Sequence, residues 1–207
     1  MNKAIIFDLD GVLVDSKEIH FNALNLALSD HDPKYVITQS EQDQIYEGMT
    51  TLSKLDILTK KKGLPEYAHE EIWNNKQKYT AKLFQGIGKD SELMLLFKLI
   101  KDLDVKIGVA SNSIRETLDT CLEKLCIKEY VDISFSNEDV KNPKPNPEIY
   151  YKCMDSLMSN PKQTVIYEDS EIGQQAAIAS GAHLISVYNR GSINHSLIRK
   201  GIDYLEA

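Results

Sequence analysis

Two carboxylates stand two residues apart, Asp8 and Asp10, at the end of the apolar run Ala4-Ile5-Ile6-Phe7, and Gly11 follows them. In an extended chain, residues two apart project to the same side. Two acids at the end of a buried strand are costly unless a cation or a reaction uses them. One chemistry that would do so divides the labour, one carboxylate attacking and the other moving a proton. An Asp-Gly turn after a strand accounts for the same residues without chemistry.

Three more stations carry groups suited to such a reaction. Ser111-Asn112 follow the run Val105 to Ala110, and a hydroxyl with exposed backbone N–H groups at a helix start can hold an anion. Ser113 opens the pattern Ser113-Ile114-Arg115-Glu116 and is expected to be the N-cap of a capping box. Lys144 sits among three prolines in Asn142-Pro143-Lys144-Pro145-Asn146-Pro147. A stiff loop carrying an ammonium suits a phosphate ligand, although a solvated lysine in a turn has the same pattern. Glu168-Asp169-Ser170 follow Thr164 to Tyr167 and offer oxygen ligands to a hard cation. Asp169 or Ser170 as a helix N-cap is the competing reading.

The elements that must position these groups alternate. Strands are expected over residues 4–7, 105–110, 131–135, 164–167 and 184–187, with helices between the later ones. That alternation implies an α/β fold, a doubly wound, Rossmann-like parallel sheet with helices on both faces. Each station then lies just past a strand, where such sheets bind ligands. Residues 16–83 read as helices alone. A polar helix is expected from Ser40 to about Glu47, broken by Gly48, and Thr50 or Thr51 caps the next helix. That helix ends in Lys60-Lys61-Lys62-Gly63 with Pro65 beyond, a helix stop signal. The expected organisation is an α/β core of residues 1–15 and 84–207 with an inserted helical domain, 16–83.

Composition excludes several classes. The chain has 207 residues, 42% hydrophobic and 27% charged, which is ordinary for a globular protein. No apolar run approaches the roughly 20 residues that cross a bilayer, so no membrane role is expected. The net charge of −7 argues against a nucleic-acid surface. It leaves room for a small anionic substrate, because a cation and a lysine can reverse the sign locally. Cys121, Cys126 and Cys153 show no zinc-type spacing. The start of the chain shows no signal-peptide pattern, and a reducing cytoplasm is expected. The sequence does not give the oligomeric state, and a monomer is one plausible form.

In chain order the stations are strand-Asp-x-Asp-Gly, strand-Ser, Lys in a proline loop, and strand-Glu-Asp. This constellation resembles the haloacid dehalogenase-like (HAD) superfamily, most of whose members are phosphatases. Phe7 to Ser16 looks like the family's first motif and flap, Val109-Ala110-Ser111-Asn112 like its second, and Lys144-Pro145-Asn146-Pro147-Glu148-Ile149-Tyr150 like its third. Ile166-Tyr167-Glu168-Asp169-Ser170, with Gly173, Ala176, Ala177 and Gly181 after it, looks like its fourth. The helical insert is similar to the cap of the β-phosphoglucomutase and phosphoglycolate phosphatase branch.

The resemblance implies a Mg2+-dependent phosphatase acting on a small phosphorylated metabolite through an aspartyl-phosphate on Asp8, with Asp10 as acid and base. It implies Mg2+ held by Asp8, the Asp10 carbonyl, Asp169 and Glu168, and phosphoryl oxygens held by Ser111, the Asn112 N–H and Lys144. His20, Gly48 and Thr50 fall where such caps contact substrate, although His20 on a helix face needs no role. A phosphosugar mutase is the alternative. That enzyme carries an arginine shortly after the cap glycine, where this chain has Thr51, and no arginine occurs before Arg115. Lys54 or Lys76 would lack its bidentate fork. Asp10 separates the chain from dehalogenases and phosphonatases, which lack that acid. A catalytically idle binding protein would have no need of all these groups together.

Overall fold

A computed structural model describes residues 1–206. From the N-terminus the elements are β1 (Ala4–Phe7), α1 (Lys17–His31), α2 (Gln39–Glu41), α3 (Thr51–Lys62), α4 (His69–Leu83), α5 (Ser91–Asp102), β2 (Lys106–Ala110) and α6 (Arg115–Lys124). They continue as β3 (Ile133–Phe135), α7 (Glu148–Ser156), β4 (Thr164–Glu168), α8 (Glu171–Ser180), β5 (His183–Ser186) and α9 (His195–Glu206). The chain divides into two units, Met1–Asp15 with Ile87 onward, and Ser16–Gly86.

The first unit is an α/β sandwich around a five-stranded sheet of order β3-β2-β1-β4-β5, every neighbouring pair parallel. β1 is central and all four of its side chains are buried, as a strand covered on both faces requires. Ile6, Ala110 and Ile166 pack against Ile149, Tyr150, Ala176 and Ala177 on one face. On the other, Phe7 stacks between Phe97 at 5.1 Å and Tyr167 at 5.0 Å. Each such side chain contributes about 1.5–3 kcal/mol by leaving water. The Tyr167 hydroxyl donates to Leu197 O at 2.9 Å. A Cβ on Gly201 would lie 2.3 Å from that hydroxyl oxygen, so glycine is what lets α9 approach. The strand order reverses between β1, from which the chain steps outward to β2 and β3, and β4 on its other side. The carboxyl ends of strands at such a switch point are where doubly wound sheets bind ligands.

Arg190, in the loop after β5, joins two distant points of this unit. Its backbone N–H donates to Asp15 Oδ1 at 3.2 Å. Its guanidinium donates to Asp90 Oδ2 at 2.6 and 3.1 Å and to Ile193 O at 3.1 Å. Asp90 Oδ1 in turn caps α5 through Leu93 N–H at 2.9 Å.

The second unit is helical. Leu24, Ala27 and Leu28 of α1 share a core with Leu55 and Leu58 of α3, Ile72 of α4, and Tyr35, Tyr46 and Leu64. Thr50 is the N-cap of α3, its Oγ1 accepting Ser53 N–H at 3.2 Å. Gly63 ends α3 at φ 71°, the left-handed turn that glycine adopts without strain. The polar helix expected from Ser40 to Glu47 takes another form. α2 is a single turn held by a Thr38–Glu41 capping box, and Gln42–Tyr46 continue as a π-helical turn. The wider turn keeps Gln42 and Tyr46 on one buried side, with Gln42 Oε1 accepting Lys54 Nζ at 3.4 Å. Packing, rather than the local polar pattern, sets that segment. Among the described residues no helix is long and apolar enough to cross a membrane.

Candidate active site

β1 delivers Asp8, whose backbone N–H donates to Tyr167 O of β4 at 2.9 Å. The chain then turns at Gly11, φ 88°, and closes with Gly11 N–H to Val14 O at 2.7 Å. β4 ends on Glu168, whose side chain is 1% exposed, and Asp169 follows. β2 ends beside Ser111. The loop after β3 brings Lys144, held by a reciprocal clasp in which Lys144 N–H donates to Asn112 Oδ1 at 3.1 Å and Asn112 Nδ2 donates to Lys144 O at 3.2 Å. Asn137 Nδ2 steadies Asn112 through its carbonyl at 2.9 Å.

Lys144 Nζ is the hub. It donates to Asp8 Oδ1 at 2.6 Å, Glu168 Oε1 at 2.7 Å and Ala110 O at 2.9 Å. Those three acceptors match the three protons of an ammonium. The face of Tyr150 lies 4.9 Å from Nζ, and the Tyr150 hydroxyl donates to Glu168 Oε1 at 3.3 Å. Glu168 Oε2 accepts Ser170 N–H at 3.0 Å and Ser170 Oγ at 3.2 Å. Its carboxylate lies against Gly173, where a Cβ would come within 1.7 Å of Oε1. Asp10 Oδ2 accepts two hydroxyls, Ser113 Oγ at 2.7 Å and Ser111 Oγ at 3.2 Å.

Four carboxylates, Asp8, Asp10, Glu168 and Asp169, thus share one unit with a single buried ammonium. Burial pushes the Asp8 carboxyl well above the usual range. Lys144 pulls it back, and Glu168, Asp169 and Asp10 push it up again. Burial alone would lower Lys144, but Asp8 and Glu168 outweigh it and hold the ammonium well above its ordinary value. Oxygens of Asp8, Glu168 and Asp169 lie within 4.8 Å of one another. An all-oxygen donor set of this charge fits a hard divalent cation such as Mg2+, which would relieve the repulsion that raises Asp8.

Seven of the expected site residues therefore come together in the first unit: Asp8, Asp10, Ser111, Asn112, Lys144, Glu168 and Asp169. His20, Gly48 and Thr50 belong to the second. There His20 Nδ1 lies 3.2 Å from Nζ of buried Lys76, with its ring edge-on to Phe84 at 5.5 Å. Gly48 adopts φ 73°, and Thr50 caps α3.

One local expectation is corrected. Ser113 does not cap α6: Ile114 is at the N-cap without a side-chain bond, and Glu138 Oε2 accepts Arg115 N–H at 2.7 Å instead. Asp10 is the stronger acceptor for the Ser113 hydroxyl. Ser170, by contrast, does cap α8 through Gly173 N–H at 3.1 Å, while also serving Glu168. Sequence reasoning missed Ser113, Asn137 and Tyr150 as site residues. Ser113 carried a usable signal, since it stands two residues beyond Ser111, the same spacing that pairs Asp8 with Asp10. Asn137 carried none, and Tyr150, although it closes the motif that begins at Lys144, gave no sign that its hydroxyl reaches Glu168.

Acids and a lysine gathered at the carboxyl ends of a doubly wound parallel sheet define an α/β enzyme. The sequence profile of the haloacid dehalogenase-like hydrolases matches residues 5–187, and the chain belongs to that family. It is 30% identical over 190 residues to the phosphorylated carbohydrates phosphatase of Thermotoga maritima, covering 88% of this chain and 83% of that one. It is 22% identical over 191 residues to the fructose-1-phosphate phosphatase YqaB of Escherichia coli, covering 88% and 95%. A β-phosphoglucomutase structure from Clostridium difficile superposes with a TM-score of 0.84 over 100% of both chains at 21% identity, which shows a common fold.

Proposed function

We propose that the chain is a Mg2+-dependent phosphatase that hydrolyses a small phosphorylated metabolite, such as a sugar phosphate, through an aspartyl-phosphate on Asp8. The observation that carries this reading is the Lys144 ammonium bridging Asp8 Oδ1 and Glu168 Oε1, with Asp169 close enough to complete an oxygen site. An Asp8 oxygen attacks phosphorus, and the bond from phosphorus to the leaving oxygen breaks. Asp10 gives that oxygen a proton. In the second half, Asp10 takes a proton from water, the water oxygen attacks phosphorus, and the Asp8–phosphorus bond breaks, releasing phosphate. Ser111, the Asn112 N–H and Lys144 hold the phosphoryl oxygens, where positioning and charge supply most of the catalysis. Bound at Asp8, the Asp10 carbonyl, Glu168 and Asp169, Mg2+ would neutralise charge between nucleophile and phosphate.

Ser16–Gly86 acts in this reading as the cap that selects substrate, with His20, Gly48 and Thr50 among its contacts. Transfer to a second phosphosugar is disfavoured, because every arginine of the chain is already paired with an acid: Arg115 with Asp139, Arg190 with Asp90 and Arg199 with Asp203. That leaves no ready fork for a second phosphate. A panel of phosphorylated metabolites, assayed for phosphate release with Mg2+, tests the proposal. Turnover of at least one member is expected, lost in Asp8→Asn and lost on chelation. Release undiminished in Asp8→Asn, or no release from any member, would overturn it.

A further inference from the structure

We infer that Ser113 is a positioning residue for the proton-transfer group, holding the Asp10 carboxylate while Ser111 leaves it to bind the phosphoryl group. This rests on the proposed role of Asp10 as acid. Ser111 Oγ donates to Asp10 Oδ2 at 3.2 Å, yet the proposed chemistry needs the same hydroxyl at a phosphoryl oxygen. A hydroxyl has one proton to donate, so Ser111 serves one acceptor at a time. Ser113 makes the shorter bond to the same oxygen, 2.7 Å, and is not among the groups assigned to phosphate.

Its backbone is fixed on both sides. Ser113 N–H donates to Ser111 Oγ at 2.9 Å, and its carbonyl accepts Asn137 N–H at 3.2 Å. The absence of a capping bond to α6 leaves the hydroxyl committed to Asp10. Arrival of a phosphoryl group therefore exchanges one of two serine bonds, and the other keeps the carboxylate aimed. A hydroxyl that merely filled space would not be held at both ends and pointed at an acid.

The test uses leaving groups. Protonation matters for phenyl phosphate and little for p-nitrophenyl phosphate, whose leaving group is stable as an anion. In Ser113→Ala, kcat/KM for phenyl phosphate should fall about tenfold, the weight of one hydrogen bond to a charged group. The p-nitrophenyl phosphate value should stay within about twofold, and Ser113→Thr should restore the first. Equal losses on both substrates, or no loss, would overturn the inference. Should the alanine variant melt early, Ser113→Cys, with its weak donor, reads the same bias. Asp10→Asn separates the two layers. A leaving-group bias there without one in Ser113→Ala sinks the role of Ser113 alone. No bias in Asp10→Asn sinks Asp10 as acid, and Ser113 with it.

Discussion

Lys144 and Glu168 are buried together, and each depends on the other. Removing the ammonium in Lys144→Met leaves two acids facing one another without a counter-charge, which costs about 3–5 kcal/mol for a broken buried pair. Urea unfolding should register that loss, and phosphate release should vanish with it. Gly173 makes a sharper prediction. A methyl group there would meet the Glu168 carboxylate at 1.7 Å, so Gly173→Ala must push Glu168 off Lys144 and out of the oxygen cluster. Stability should drop by about 1–3 kcal/mol, as in other overpacked sites. The Mg2+ concentration for half-maximal phosphate release should rise, whereas a helix glycine with free space would gain stability on the same change. The sequence pattern already pointed to Asp8, Asp10, Glu168 and Asp169, because acids after apolar strands are expensive without a purpose, and to Lys144 because three prolines stiffen the loop that carries it. It could not show that Lys144 faces Asp8 and Glu168 at once, since that contact spans 136 residues.

Elements were legible where local chemistry decides and less so where packing does. The lysine run before Gly63 ended α3 as the stop signal required, and β1 is buried along its whole length as its unbroken apolar run implied. The Ser40 to Glu47 segment became a π-helical turn because Tyr46 and Gln42 are drawn inward, which its polar surface did not announce. Ser113 satisfied a capping pattern in sequence but found a charged partner across 103 residues. Between elements, Asp132 gives a pH-dependent contribution. Burial would raise its carboxyl, but Ile107 N–H of β2 and Lys101 of α5 outweigh that and hold it below its ordinary value. Its contribution to stability is therefore complete above the unfolded value near about 4 and is lost as pH falls through the lower folded value. Thermal melts should show a shallower acid limb in Asp132→Asn below about pH 4, and an unchanged slope between about pH 6 and 8.

At the scale of the molecule, the α/β unit can be read from strand alternation, whereas the helical unit reads only as helices, and the substrate selection proposed for it rests on a few side chains. Arg190 gives the wider architecture a practical consequence. The chain leaves the α/β unit just after Asp15 and returns just before Asp90, and one side chain with its own backbone N–H holds both. Exit and re-entry are thus neighbours, so the gap that Ser16–Gly86 fills is short enough for a small bridge. Replacing that segment with a brief Gly/Ser linker should leave a domain that melts cooperatively and keeps its sheet, judged by circular dichroism. Adding Arg190→Ala to that shortened chain should lower its melting temperature. The helical unit is then an excisable module, and on the cap role proposed for it, exchanging what lies between Asp15 and Ile87 should change the substrate range.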